Sequence, residues 1–221
     1  MTMRLPCPRP ARSAIEGRYC RPEPLGAAHA AGLFESCAEP RLYDYLFDAP
    51  PADRAAMRVW VESAAKGDDP LFFAVLDRAG GHAVGRQALM RITPEHGVIE
   101  VGNILWGRGA ARSRIATEAL YLFARLVFET LGYRRFEWKC HHANLPSQAA
   151  ARRFGFVYEG TFRQHMWVKG ANRDTAWFAM IDADWPRLAA AYERWLDPDN
   201  FQPDGRQRAA LAARIPTEDA R

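Results

Sequence analysis

The sequence has few cysteines, and none of them are spaced for joint metal binding. Its 221 residues include four, Cys7, Cys20, Cys37 and Cys140, and no CxxC motif occurs. A structural zinc site needs clustered Cys and His ligands, and a chain of this length does not depend on disulfides for a stable core. We therefore predict reduced cysteines, no bound metal and a cytoplasmic location.

Long apolar runs and a strong charge excess are also missing. No stretch of about 18 apolar residues is present, so the sequence predicts no membrane-spanning helix and no membrane partner. The N-terminal segment MTMRLPCPRPARSAIEG has no apolar centre of the kind found in secretory signals. The 30 Lys and Arg residues exceed the 26 Asp and Glu residues by only +4. This excess is too small to indicate nucleic acid, and we predict no nucleic-acid partner.

The hydrophobic pattern predicts one α/β domain with a mixed, mostly antiparallel sheet over residues 14–196. We expect a flexible arm over residues 1–13 and a polar, partly disordered tail over residues 197–221. Three strands joined by short turns form a meander, which favours antiparallel pairing. The predicted strands are Ser13–Arg21, Leu71–Leu76, Ala83–Ile92, Val98–Trp106, Arg134–Cys140, Thr161–Lys169 and Thr175–Asp182. The predicted helices are Ala27–Cys37, Ala52–Ala65, a long one around Ile115–Val127, Asn144–Phe154 and Trp185–Trp195.

One strand-loop-helix segment has the character of an anion site. The strand VIEVGNILW runs into the loop GRGAARSR, and the next helix begins IATEAL. Unpaired N–H groups and the helix dipole favour an anion at such a helix start, and Arg108, Arg112 and Arg114 add positive charge. The pattern fits a pyrophosphate. A solvated turn in an ordinary strand-helix unit is the alternative, and the P-loop pattern GxxxxGK[ST] is absent.

A second polar segment begins the helix near residue 144. Asn144 and Ser147 stand three residues apart, and spacing alone favours helix capping for both. The adjacent His141 and His142 have no further Cys or His ligands nearby in sequence, so an exposed pair is the simpler interpretation. Cys140 ends an apolar strand, which favours a buried small side chain over a nucleophile.

Together these segments resemble the GNAT superfamily of acyl-CoA N-acyltransferases, over roughly Ile15–Trp185. Within it, the chain is most similar to the Rim-type ribosomal-protein N-terminal acetyltransferases. The resemblance is carried by five stretches: EGRYCRPEPL, VIEVGNILW, ATEAL, NLPSQAAARRFGF and VKGANRDTAWFAMI.

The resemblance implies a central splayed sheet in which acetyl-CoA lies between two parting parallel strands, Val98–Trp106 and Arg135–Cys140. The exposed backbone of Ile104, Leu105 and Trp106 would pair with pantetheine amides. Asn144 would contact CoA. The pyrophosphate would be held by the backbone amides of six residues, Arg112, Ser113, Arg114, Ile115, Ala116 and Thr117.

The chain departs from the family pattern at two places. The family loop reads Gln/Arg-x-x-Gly-x-Gly/Ala, and the matching positions here are Ala111, Arg114 and Ala116, of which only Ala116 conforms. Arginine in place of the first glycine restricts the backbone and adds charge. Many members place at position 151 a Tyr that protonates the leaving thiolate, and this chain has Ala151.

The implied activity is transfer of an acetyl group to a primary amine, either a protein N-terminus or a small amine. Since such an amine is mostly protonated at pH 7, a base must take a proton. Glu100 matches the strand Glu of the Rim-type enzymes and is the candidate base, with an ion pair or a solvated Glu as the alternative. Ser147 is the candidate acid, with Tyr158 second. Tyr43 and Tyr45 fall in the region that covers the acceptor and are candidate substrate contacts.

Two questions stay open from the sequence. A non-catalytic acyl-CoA sensor is the alternative function, because the loop glycine and the tyrosine are missing. The apolar stripe of the last helix could seal the core or join two chains as a homodimer.

Overall fold

A computed structural model describes residues 5–211 of the chain. In this part the β-strands are β1 (Cys20–Pro24), β2 (Leu71–Asp77), β3 (Ala83–Thr93), β4 (Val98–Trp106), β5 (Arg135–His141), β6 (Val157–Val168) and β7 (Ala171–Ile181). The α-helices are α1 (Ala30–Cys37), α2 (Arg54–Ala64), α3 (Arg114–Arg125), α4 (Leu145–Arg153) and α5 (Trp185–Leu196). None of the helices within these residues has the length and apolar character needed to cross a bilayer.

The strands form one sheet in the order β1-β2-β3-β4-β5-β7-β6. Every neighbouring pair is antiparallel except β4 and β5, which run parallel. The long connection through α3 makes that parallel pair possible, because parallel neighbours need a crossover. The predicted mixed, mostly antiparallel sheet with helices on its faces is confirmed.

Apolar side chains cover both faces of the sheet. One face packs against α3 and α5, in a core that includes Phe123, Phe136 and Tyr192. The other face packs against α1 and α2, in a smaller cluster that includes Leu33 and Val61. The apolar residues of α5 belong to the first core, so this helix seals the domain in the way that one of the two predicted alternatives described.

The first strand is placed differently from the prediction. β1 covers Cys20–Pro24, whereas Ser13–Arg21 was predicted as a strand and Pro22–Gly26 as a turn. A proline cannot donate a ladder hydrogen bond, which argues against a central strand. β1 lies at the sheet edge and pairs only with β2, so Pro22 and Pro24 are tolerated there.

The last hairpin also turns earlier than predicted. The sequence placed the turn at residues 170–174, but β6 and β7 are joined at Lys169 and Gly170, with Val168 opposite Ala171. Both turn residues have positive φ, 51° and 75°, as a two-residue type I′ hairpin requires. Arg173 therefore lies within a strand.

The described parts of the predicted arm and tail make specific contacts. The backbone N–H of Cys7 donates to Pro94 O at 3.0 Å, and Arg12 donates to Ala65 O at 2.9 Å. Near the other end, Phe201 packs against Trp195 with 5.1 Å between ring centroids. Residues 5–13 and 197–211 are thus in contact with the domain, and residues 1–4 and 212–221 lie outside the described part; the flexible arm and polar tail remain predictions.

Candidate active site

The two parallel strands at the centre of the sheet separate partway along their length. β4 and β5 pair from Val98 opposite Arg135 to Val101 opposite Trp138, and the ladder ends there. One extra residue in β4 opposite β3 forms a bulge at this point, where Asn103 has φ of 50°. A bulge bends its strand, so β4 turns away from β5 and Ile104–Trp106 lie beyond the paired region.

A cleft of about 1320 Å³ opens where the strands part. This volume exceeds the usual few hundred Å³ of small-molecule pockets and suits a long ligand. All ten residues predicted to bind the cofactor line it, as does Ser147. They are Ile104, Leu105, Trp106, Arg112, Ser113, Arg114, Ile115, Ala116, Thr117 and Asn144. The structure thus brings together two sequence segments that lie about 30 residues apart.

The start of α3 presents unpaired backbone N–H groups to this cleft. Ser113 caps the helix by accepting from Ile115 N at 3.1 Å, and Thr117 N donates to Ser113 O. Ser113 N donates to Ala110 O. No described residue accepts from the N–H groups of Arg112, Arg114 or Ala116, so three of the six predicted amides are available to a ligand.

Arginines from several parts of the chain surround these amides. Six arginines line the cleft, against two aspartates, Asp77 and Asp204. Arg153 donates to Thr117 Oγ1 at 3.2 Å, and burial lowers the pKa of its guanidinium. Unpaired amides, a helix N-terminus and excess positive charge together favour a polyanion. The six arginines are Arg18, Arg78, Arg112, Arg114, Arg153 and Arg206.

The beginning of α4 forms the opposite wall of the cleft. Asn144 Oδ1 accepts from Ser147 N at 3.1 Å, which confirms the predicted cap and leaves the Asn144 amide NH2 without a partner among the described residues. Trp138 Nε1 donates to Ser147 Oγ at 3.0 Å. Burial raises the pKa of the Cys140 thiol, which the Ser147 hydroxyl partly offsets by hydrogen bonding. Cys140 is a neutral, buried thiol, as predicted.

Comparison with known proteins agrees with this geometry. Residues 23–157, more than half of the chain, match the family model of the acetyltransferase (GNAT) domain. A GCN5-related N-acetyltransferase from Brucella melitensis is 52% identical with a TM-score of 0.93, covering 96% of this chain and 97% of its own. This chain belongs to the GNAT acetyltransferase family.

Two further structures show how far the likeness extends. A probable GNAT-family acetyltransferase from Chromobacterium violaceum is 36% identical, with a TM-score of 0.76 over 83% of this chain and 92% of its own. An acetyltransferase from Salmonella typhimurium that modifies the N-terminal serine of a 50S ribosomal subunit protein is 19% identical. Its TM-score is 0.65 over 76% of this chain and 99% of its own, which establishes a shared fold alone. No curated protein matches the sequence.

Membership in the GNAT family makes the chain an N-acetyltransferase, and GNAT acetyltransferases take the acyl group from acetyl-CoA. The alternative of a non-catalytic sensor therefore has no support in the comparisons. Within residues 5–211, no cluster of three or more His, Cys, Asp or Glu side chains is arranged to hold a metal ion.

Glu100 lies on the face of the sheet opposite Ile99 and Val101, and it is 2% exposed. Both of its oxygens accept from Arg91 Nη1, at 2.9 and 2.8 Å, and Oε2 lies 2.9 Å from Lys139 Nζ. An ionised carboxylate offers about four acceptor positions, two on each oxygen. Arg91 and Lys139 use one on Oε1 and both on Oε2, so Glu100 keeps one position free, on Oε1. Oε1 lies close to Gly102, the residue at which β4 leaves β5: the distance to the position that a Cβ of residue 102 would occupy is 3.2 Å.

The two tyrosines predicted to touch substrate have different surroundings. Tyr43 is 4% exposed and packs in the apolar cluster under α1 and α2. Burial raises its pKa to about 12. Tyr45 is 40% exposed and lies edge-on to His141, with 5.3 Å between ring centroids. Of the two, only Tyr45 is therefore exposed, at the end of β5, and its role as a substrate contact remains a prediction.

Several residues of the cleft were not predicted from the sequence. Arg18, Tyr19, Arg153 and Phe201 line it, and they come from three separate segments. Arg114 stacks over the Tyr19 ring at 4.5 Å, and Phe201 lies 5.6 Å from the same guanidinium. No local motif marks these residues, because tertiary packing alone brings them to the start of α3.

Proposed function

We propose that this enzyme binds acetyl-CoA in the cleft between β4 and β5 and acetylates a primary amine, either a peptide N-terminus or a small molecule. One observation carries the proposal: Arg112, Arg114 and Ala116, whose N–H groups are unpaired among the described residues, line a cleft with excess arginine. Such a surface is suited to a pyrophosphate, and the predicted CoA contacts line the same cleft.

The residues present fit acetyl-CoA. The start of α3 would hold the pyrophosphate, the β4 edge at Ile104–Trp106 would pair with the pantetheine amides, and the Asn144 amide would donate to the ligand. Arg18, Arg153 and Arg206 add charge for phosphate groups along the cleft. Bound acetyl-CoA supplies the acetyl group as a reactive thioester.

Ser147 is positioned to donate a proton to a leaving thiolate. Its oxygen accepts from Trp138 Nε1, and its hydrogen, which is directed to the Cys140 sulfur, would be transferred to the leaving thiolate. Donation by the indole polarises the hydroxyl and strengthens it as a donor. Ser147 would thus protonate the leaving thiolate, which Ala151 cannot do because it has no hydroxyl group.

Glu100 would take up the amine proton through the free position on Oε1, directly or through a water molecule. The ion pairs with Arg91 and Lys139 fix the carboxylate at the point where the strands part. The same pairs support the alternative that Glu100 is structural, and two variants separate the roles.

The backbone amide at the start of α3 can be tested with Arg114→Pro. Arg114 is the first residue of α3, where proline is tolerated, and Ser113 before it is extended (φ −110°, ψ 174°), as a residue preceding proline should be. Arg114→Gln removes the same charge but keeps the N–H. We expect the Kd for acetyl-CoA, measured by calorimetry, to be roughly 10-fold or more higher in Arg114→Pro than in Arg114→Gln, since a charge-assisted hydrogen bond contributes about 1.5–3 kcal/mol.

Equal affinity in the two variants would show that the Arg114 N–H does not bind acetyl-CoA. Absence of acetyl-CoA binding to the wild-type enzyme would overturn the proposed function.

The role of Glu100 can be tested with Glu100→Gln against Glu137→Gln. Both carboxylates pair with Lys139, at 2.9 and 2.7 Å, but only Glu100 stands next to Gly102. If Glu100 is the base, kcat should fall roughly 100-fold or more in Glu100→Gln, the usual range for general base catalysis, and stay near wild type in Glu137→Gln. CoA release with a panel of peptides and small amines measures this. Equal kcat in both variants, with lower melting temperatures, would make the carboxylate structural.

A further inference from the structure

A buried arginine without a carboxylate partner lies on the sheet face opposite the acetyl-CoA cleft. Arg173 is 7% exposed. Its Nε is buried without a hydrogen-bond partner, and neither Nη nitrogen forms a hydrogen bond or ion pair with a described residue. Its guanidinium lies 4.7 Å from the centroid of the Phe47 ring. Burying an unpaired charge is costly, so such a group calls for an explanation.

The other charges on this face are matched, which leaves the charge on Arg173 in excess. Arg135 pairs with Glu137 and Glu159, Lys139 pairs with Glu100 and Glu137, and Arg91 pairs with Glu100. With Arg173, four cations therefore meet three carboxylates. Burial lowers the pKa of Arg173, and the group interacts electrostatically with Cys140, Arg91 and Glu100.

Arg86, on the same face, shows how the fold pairs a buried guanidinium with a carboxylate elsewhere, although its Nη1 is also buried without a partner. Arg86 is 2% exposed, forms an ion pair with Asp48 and stacks on the Trp60 ring at 3.9 Å. Asp48 follows Phe47, so the segment that supplies an anion to Arg86 supplies only an aromatic ring to Arg173. Trp177 Nε1, on the same face of β7, is also buried without a partner. Counting Arg86 Nη1, this face thus keeps three unused donors.

The location of Arg173 suits contact with the acceptor. Thr175 lies opposite His141, the last residue of β5, so Arg173 lies beyond the end of β5. Arg173 is on the same face of the sheet as Glu100 and interacts with it electrostatically. Glu100 lies next to the point where β4 and β5 separate. If acetyl-CoA occupies the α3 side, the amine approaches its acyl carbon from the other side. Phe47 and Phe162, 46% and 52% exposed, give this side an aromatic surface.

We propose that Arg173 binds a carboxylate group of the acceptor, so that the substrate is an amine that also carries a carboxylate. The assignment rests on the acetyltransferase activity proposed above. A guanidinium can bind a carboxylate through two parallel hydrogen bonds, which would satisfy Nε and fix the amine relative to the acetyl group. The carboxylate could belong to a free amino acid or to an acidic residue at a peptide N-terminus.

Matched acceptors test this directly. One pair is L-phenylalanine against L-phenylalaninamide, and the other is an Asp-Phe dipeptide amide against its Asn-Phe counterpart. We expect at least one carboxylate form to have a kcat/KM 10-fold or more above its neutral partner. Arg173→Gln should abolish that preference, mainly through KM, and Arg173→Lys should restore part of it. Arg163→Gln, at an exposed arginine of β6, is the control and should keep the preference.

A binding measurement makes the test independent of turnover. The Nε–H resonance of Arg173, assigned by its loss in Arg173→Lys, should shift on titration with N-acetyl-L-phenylalanine or the N-acetylated Asp-Phe dipeptide amide. The corresponding neutral amides should leave it unchanged. The melting temperature of Arg173→Gln should equal or exceed that of wild type, because an unpaired buried charge is removed.

Equal turnover of charged and neutral acceptors, a preference that survives Arg173→Gln, or an Nε–H resonance that no carboxylate shifts would each overturn the assignment while acetyl-CoA binding persists. Loss of acetyl-CoA binding in the wild-type enzyme would instead be a failure of the proposed function.

Discussion

Replacement of Glu118 by alanine is expected to cost more stability than any other single change considered for this protein. Glu118 is 4% exposed, and its carboxylate accepts from the backbone N–H groups of Arg18, Tyr19 and Cys20 at 2.8, 2.6 and 2.7 Å. The variant leaves three backbone donors at the start of β1 without a partner. Each unsatisfied group costs about 1–3 kcal/mol when fully buried. Because the bonds from Arg18 and Tyr19 are only part-buried, we expect a loss of roughly 3–6 kcal/mol in the free energy of unfolding, measured by urea titration.

A matched surface variant and a chemical probe make this result specific. Glu62→Ala on α2 removes a Glu that pairs only with Arg58 at the surface, and it should change stability by less than about 0.5 kcal/mol. Burial and the adjacent Glu118 raise the pKa of Cys20, so its thiol should resist alkylation in the wild-type enzyme. Cys20 should react faster in Glu118→Ala as β1 loosens. Equal stability losses in the two variants would show that the three hydrogen bonds contribute nothing measurable.

Replacement of Ser147 by alanine is expected to cause the largest loss of activity. If the Ser147 hydroxyl protonates the leaving thiolate, kcat should fall roughly 100-fold or more, the usual scale of general acid catalysis. The Kd for acetyl-CoA should change much less, because the Asn144 cap and the amides of α3 are untouched. Release of CoA, followed with a thiol reagent across the amine panel, gives the rate, and calorimetry gives the affinity.

Two further variants separate proton donation from packing. Ser147→Thr keeps the hydroxyl and should keep most of the activity. Trp138→Phe removes the indole donor but leaves the hydroxyl in place, so its kcat should lie between those of wild type and Ser147→Ala. If Ser147→Ala turns over at the wild-type rate, the proton must come from another group, and Tyr158 is the next to test.

The sequence located the proposed acetyl-CoA cleft better than the proposed acceptor side. Most of the cleft lies on a strand, a loop and a helix start that follow one another along the chain. Hydrophobic periodicity predicted these elements, and the family resemblance assigned the cofactor residues on them. Nine of the ten predicted cofactor residues belong to this segment and line the cleft, and the tenth, Asn144, comes from the start of α4. Their roles as CoA contacts remain predictions, as do those of Glu100, Ser147 and Tyr45.

The acceptor side is built from residues that only tertiary packing brings together. Arg173 was predicted as part of a turn, and it lies in a strand because the hairpin closes one step earlier, at Lys169 and Gly170. Tyr43 was predicted as a substrate contact, yet its ring packs under α1 and α2, while Phe47 covers Arg173. Neither the register of a hairpin nor the burial of one aromatic among several follows from local pattern.

By itself, the sequence determined the order of the elements, the mixed sheet and the helix start that can hold a pyrophosphate. Each of these depends on interactions between residues close in the chain: alternating or helical hydrophobicity, a capping side chain, or unpaired amides. The tertiary structure alone decided which charges are matched. Arg91, Lys139 and Arg173 come from three strands, and whether a buried cation meets a carboxylate depends on distances of a few ångströms that packing of the whole sheet sets.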